Sequence, residues 1–103
     1  MIVVRRDLVD DYLRRNARRA GIGAVRRRFD AWWAEASAAQ WRTPIDVNAR
    51  YATASVLKSG RAVFNIKGND YRLVVRINYR AGVVEIRFFG SHAEYDKIDA
   101  GTV

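Results

Sequence analysis

The apolar rhythm of the chain changes once. Up to Tyr51 apolar residues recur every three or four positions, and from Ser55 they recur every second position. The first period belongs to helices and the second to strands. Ile2 to Val4 is a β-branched run and predicts a short first strand. From Asp7, the residues Leu8, Tyr12, Leu13, Ala17 and Ala20 return at helical spacing, with Arg14, Arg15, Arg18 and Arg19 on the other face. Asp7 is the expected cap. Asp10 and Asp11 in the first turn and the arginines near the end suit the helix dipole. Gly21 and Gly23 break the pattern. A second helix is predicted from about Ala24 to Ala39, with Ile22, Val25, Phe29, Trp32, Trp33 and Ala36 as its apolar stripe. Aromatic residues at this spacing read as core. Thr43-Pro44-Ile45-Asp46 supplies a cap, a proline at the first helical position and a returning carboxylate. The third helix is short and ends near Arg50 or Tyr51.

The alternating half predicts three strands. Arg61 to Lys67 turns Ala62, Phe64 and Ile66 to one face, and Gly68-Asn69 is a turn signal. Tyr71 to Tyr79 alternates Tyr71, Leu73, Val75, Ile77 and Tyr79. After Ala81-Gly82, Val83 to Phe89 alternates Val84, Ile86 and Phe88. Three consecutive antiparallel strands make a meander. Helices followed by strands predict an α+β fold, two N-terminal helices and a short third packed on one face of a small antiparallel sheet. The 103 residues suit a single domain over 1–103.

Parity assigns the intervening residues to the opposite face: Asn65 and Lys67, then Arg72, Val74, Arg76 and Asn78, then Glu85, Arg87 and Phe89. Lys67, Arg72, Arg76 and Arg87 would share one surface with a single acid. Like charges on neighbouring strands repel, and a polyanion would relieve that cost.

Composition sharpens this reading. The net charge is +8, and 16 of the 19 cationic residues are arginine. Guanidinium forks match phosphate and stack on bases. The 50% hydrophobic content argues for a packed globule. There is no cysteine, so no disulfide, thiolate metal site or cysteine nucleophile is available. One histidine and no suitably spaced carboxylates leave no zinc site, and no cofactor is expected. Phosphate-loop and dinucleotide glycine motifs are absent, and no GxSxG elbow precedes the Ser91-His92 pair. No apolar run approaches the ~18 residues of a membrane span, and the N-terminus lacks the order of a signal peptide. A cytoplasmic protein without membrane association is expected. The one histidine, His92, follows the last strand in Gly90-Ser91-His92-Ala93-Glu94-Tyr95-Asp96-Lys97. His92, Glu94 and Tyr95 are all groups that can move a proton.

At Phe64-Asn65-Ile66-Lys67-Gly68-Asn69-Asp70-Tyr71-Arg72-Leu73-Val74, and again from Phe88 to Ile98, the chain resembles the HigB family of bacterial toxins, within the RelE-like group. The likeness extends to Trp41-x-x-Pro44 and to Arg61-Ala62-Val63. Ser91 stands where many relatives have threonine, which keeps a hydroxyl. The resemblance implies helices on one sheet face and RNA on the other. It implies an endoribonuclease that cuts mRNA on the translating ribosome. It also implies a cognate helix-turn-helix antitoxin that neutralises the toxin and carries it to operator DNA.

Cleaving RNA without metal needs a base for the ribose 2′-OH, cations for the phosphorane and an acid for the leaving 5′ oxygen. Arg72, Arg76 and Arg87 are expected to clamp the scissile phosphate, with Lys67 joining them or positioning RNA. Free imidazole titrates at about 6.5, so His92 is the expected acid or base. Tyr95 is the next candidate, as a proton carrier or a stacking platform. Glu94 is expected to orient His92, and Arg61 and Asn69 are further RNA contacts. The helix arginines, including Arg26 to Arg28, would face ribosomal RNA or an acidic antitoxin. The rival readings are a non-catalytic RNA- or ribosome-binding module and a degenerate toxin acting only as a co-repressor.

Overall fold

The alternating half of the chain builds a sheet, and the helical half lies across one face of it. The computed structural model describes residues 1–103. In chain order the elements are β1 (Ile2–Val4), α1 (Asp7–Arg15), α2 (Ile22–Ala38), α3 (Pro44–Arg50), β2 (Ser55–Val56), a 3₁₀ turn over Lys58–Gly60, β3 (Arg61–Ile66), β4 (Tyr71–Asn78), β5 (Val83–Ser91) and the single turn α4 (His92–Tyr95). The sheet order is β1-β5-β4-β3-β2. The predicted meander is formed by β3, β4 and β5. Two short strands extend it: β2 runs antiparallel to β3, and β1 runs parallel to β5. The class is α+β as the pattern predicts, with a mixed sheet. No helix is long and apolar enough to cross a membrane.

The helices follow their stripes with two corrections. α1 ends at Arg15, so Ala17 and Ala20 lie in exposed turns rather than on a core face. The Asn16 side chain donates to the Tyr12 carbonyl at 2.8 Å, taking an acceptor at the helix end. Asp7 does not cap α1 and instead pairs with Arg5 at 3.0 Å. α2 buries Val25, Phe29, Trp32 and Ala36. Trp33 lies at the core's edge beneath Arg6, whose guanidinium sits 5.0 Å from its ring. At α3, the Asp46 carboxylate accepts from the backbone N–H of Thr43 at 3.1 Å, and Pro44 opens the helix as predicted.

These faces meet on one side of the sheet. Val9, Tyr12, Leu13, Val25, Phe29 and Trp32 pack against Ala62, Phe64, Ile66, Leu73, Val75, Ile77, Val84 and Ile86. Each large side chain buried there contributes about 1.5–3 kcal/mol.

Strict alternation fails once, in β5. Val75 pairs with Ile86, but Val74 pairs with Phe88, so Arg87 is an extra, bulged residue. After the bulge the faces exchange. Phe89 is therefore in the main core, stacked on Tyr71 with ring centroids 5.8 Å apart. Phe88 is on the opposite face, which corrects the sequence assignment of both phenylalanines.

That opposite face is partly covered. Val63 and Val74 form a second apolar cluster with Ala100, flanked by Leu57, Phe88, Tyr95, Ile98 and Val103. The segment after α4 thus folds back over the middle of the sheet.

Candidate nucleic-acid interface

The expected cationic surface is divided between two places. On the sheet face lie Arg61, Arg72, Arg76 and Arg87. Arg61 Nη2 and Arg87 Nε both donate to the Val103 carbonyl, at 2.9 and 3.2 Å. Arg87 also pairs with Glu85 at 3.1 Å. Arg72 donates to the Asn69 carbonyl at 2.9 Å, and its guanidinium lies 5.8 Å from the Tyr95 ring. Arg76 is exposed and pairs across the sheet with Arg61 and Glu85, toward the end where Asn78, Arg80 and Val83 line a groove. Four residues of strand separate it from Arg72, about 13 Å. Arg72 and Arg76 therefore sit toward opposite ends of the strand.

Lys67 is not on that face. β3 ends at Ile66, and Lys67 takes a left-handed backbone (φ 56°) that redirects its side chain. Its ammonium lies against the α1–α2 connection, where a β-carbon on Gly21 would stand 2.6 Å from Nζ. Gly21 is itself left-handed (φ 79°), so glycine serves both the turn and the close approach.

Lys67, Asn69 and His92 come together in a shallow cleft of about 600 Å³ at this end of the sheet, with Arg19, Asp70, Tyr71 and Ser91. The His92 backbone N–H donates to the Asp70 carbonyl at 2.9 Å, tying α4 to the β3–β4 turn. His92 Nδ1 stands 3.0 Å from Asp96 Oδ2. The partner of His92 is thus Asp96, four residues on, and not Glu94. A one-turn helix brings residues four apart onto one side. Among the residues present, no group of three or more His, Cys, Asp or Glu side chains is arranged to hold a metal ion.

Glu94 faces the helices instead. Its carboxylate accepts from the Ser91 backbone N–H at 2.8 Å while Ser91 Oγ accepts from the Glu94 N–H at 3.2 Å, a capping box that starts α4. The same carboxylate oxygen accepts from the Tyr12 hydroxyl at 2.6 Å. Gly90 leaves room for the Phe88 ring and for Glu94, since a β-carbon there would stand 2.8 Å from the ring and 3.3 Å from the Glu94 carboxylate. Partial burial pulls the Glu94 carboxyl upward. The hydrogen bonds from Tyr12 and Ser91 and the charge of Arg19 outweigh it and leave the group below the ordinary glutamate value. Burial, then the bond to Glu94, push the Tyr12 hydroxyl up to about 12.

Arg19 completes this network. Its Nη1 donates to the Tyr12 hydroxyl at 2.7 Å and to the Tyr71 hydroxyl at 3.2 Å, and lies 4.0 Å from Glu94. Sequence periodicity marks Tyr12 and Tyr71 as core and Arg19 as one of a solvated cluster. The only hint of a separate role for Arg19 is that it directly precedes the Ala20-Gly21 break, where a helix face no longer dictates direction.

Tyr95 projects to the sheet face, between Arg72 and Phe88, whose ring centroid is 6.4 Å away. α4 therefore joins the two cationic places: His92 lines the cleft and Tyr95 borders the sheet arginines.

A search of curated proteins returns no match. The family model of the HigB toxin, a RelE-like toxic component of a toxin–antitoxin system, matches residues 25–98. That span holds the meander, the bulge, Lys67 and the whole of α4. With most of its length matched, the chain belongs to the HigB toxin family, the RelE-like toxic components of toxin–antitoxin systems, and an antitoxin is its partner by that membership.

Proposed function

We propose that this toxin is a metal-independent endoribonuclease that cuts mRNA, acting on the translating ribosome in the cytoplasm. The observation that carries the reading is the His92–Asp96 pair at the lip of a cationic cleft. The contact at 3.0 Å holds Nδ1, which leaves Nε2 as the nitrogen free to exchange a proton with RNA. The ribose 2′-OH loses its proton and attacks the adjacent phosphorus. The bond to the 5′ oxygen breaks, and that oxygen takes a proton. The products are a 2′,3′-cyclic phosphate and a 5′-hydroxyl, and DNA, lacking the 2′-OH, is inert.

His92 serves as acid or base. Tyr95, with Arg72 over its ring, offers a stacking platform or a second proton carrier. Lys67, Arg72 and Asn69 meet the strand near the cut. Arg76 meets RNA farther along the sheet face, where Arg61 and Arg87 are engaged by the Val103 carbonyl. Glu94 acts from behind by starting α4 and keeping His92 at the cleft. A helix-turn-helix antitoxin would neutralise the toxin and bring it to operator DNA.

Incubation of the purified chain with ribosomes and mRNA, followed by mapping of new 5′-hydroxyl ends, tests the reading. The parent should create such ends, and His92→Ala should cut about 10²–10⁴-fold more slowly. An unimpaired His92→Ala variant would remove the histidine from the chemistry. Ribosome binding by the parent without new ends would leave a binding module.

A further inference from the structure

We propose that the scissile phosphate of RNA sits in the end-of-sheet cleft, and that Arg19 of the α1–α2 connection and Lys67 are the cations that hold it. The proposal rests on the ribonuclease reading above and names its phosphate site. Arg19 is pinned and yet unspent. All of its side-chain hydrogen bonds are made by Nη1, to the hydroxyls of Tyr12 and Tyr71, with Glu94 4.0 Å away, and its guanidinium lies 5.8 Å from the Tyr12 ring. A guanidinium has five N–H donors, so the edge formed by Nε and Nη2 is left without a protein partner. That edge is the fork that grips two oxygens of one phosphate. The two phenols and the carboxylate fix the plane of the fork before any ligand arrives. Such preorganised donors stabilise a developing phosphorane more than a mobile cation does.

Lys67 supplies the second charge. Its ammonium lies beside the bare face of Gly21, and the ion pairs of the molecule leave it out. Both cations line the cleft that His92 lines. Asp70 is the one carboxylate among the lining residues, with Glu94 behind Arg19 and Asp96 beside His92. The sheet arginines are poorer candidates for this task. Arg61 and Arg87 are engaged by the Val103 carbonyl, Arg72 donates to the Asn69 and Tyr71 carbonyls, and Arg76 lies at the far end of its strand.

The experiment uses the full chain and a short RNA in two forms, all-ribose and with a 2′-deoxy residue at the cut. Arg19→Ala and Arg19→Lys should each lower the single-turnover rate on the all-ribose RNA by about 100-fold or more, with thermal unfolding little changed. Arg80→Ala, at the other end of the sheet, should cut like the parent. The uncleavable RNA should shift the side-chain Nε–H resonance of Arg19 and not that of Arg80. This second readout stands even if the ribonuclease reading fails, because it reports binding alone. Cleavage by the parent with an unimpaired Arg19→Ala variant overturns the proposal and spares that reading. A shift of Arg80 without Arg19 overturns it too. So does an Arg19 resonance that moves with poly-glutamate and not with RNA, which would assign the cleft to an acidic protein segment.

Discussion

Phe88 and Phe89 are neighbours of identical chemistry with different surroundings. Phe89 lies within the main core, against Tyr12, Phe29 and Tyr71, while Phe88 is half-buried beside Tyr95 on the other face. Truncating a core phenylalanine costs about 3–5 kcal/mol. Phe89→Ala should therefore lower the urea-unfolding free energy by that much, and Phe88→Ala by clearly less. The reverse order, which strict alternation predicts, would contradict the bulge at Arg87. At this scale the sequence is legible wherever parity runs undisturbed: Ala62, Phe64, Ile66, Leu73, Val75, Ile77, Val84 and Ile86 all face the helices. It misleads beyond Arg87, because nothing in the run Val83 to Phe89 marks an inserted residue. His92 draws notice by its chemistry. Its partner is misjudged because Glu94 is nearer in sequence, while one helical turn favours Asp96.

Among the elements, the least legible is the segment after α4. It has no periodicity, and the sequence reading leaves the sheet's second face open. Ile98, Ala100 and Val103 nonetheless cover Val63, Val74 and Phe88, and the Val103 carbonyl engages Arg61 and Arg87. A variant stopped after Asp96 should be less stable, because this cluster loses its lid. It should also bind single-stranded RNA with a steeper salt dependence. Each additional phosphate neutralised on a single strand adds about 0.7 to the log–log slope, so two freed guanidiniums should steepen it by roughly 1.4. An unchanged slope would mean that Arg61 and Arg87 do not meet RNA. The end-of-sheet cleft is illegible for a related reason. It joins the α1–α2 connection, the β3–β4 turn and α4, and hydrophobic rhythm says which face an element buries but not which loops meet.

For the molecule as a whole, the polar network at the helix–sheet boundary links folding to pH. Tyr12 has an ordinary value of 10.0 and is held at about 12 in the fold. Burial, with the bond to Glu35, raises Tyr51 as well. Above pH 10 the unfolded chain releases these protons and the folded chain retains them, so stability should fall as pH rises from 10 toward 12. The Glu94 carboxyl is shifted the other way. Its contribution is present at neutral pH and is lost in acid, as the pH falls through its folded value. Solvent screens this partly exposed group, so the acid effect is the smaller. Thermal midpoints across the alkaline range test this, and Tyr12→Phe should flatten the fall. A parent midpoint level up to pH 12 would show that Tyr12 ionises in the fold as freely as in water. The net charge of +8 works alongside this network and favours association with polyanions.

The bulge in β5 has a consequence for how this fold tolerates change in length. Between Ile86 and Ser91 the strand serves two clients, the hydrophobic interior and the turn that carries His92. Excising Arg87 would leave Ile86 opposite Val75 and Phe88 opposite Val74, so the ladder would close without the bulge and both phenylalanines would keep their faces. Removing Gly90, in the regular stretch beyond, would instead turn Ser91 and the start of α4 to the other side of the sheet. A one-residue deletion at Arg87 should therefore leave the core assembled, and one at Gly90 should misplace the cleft.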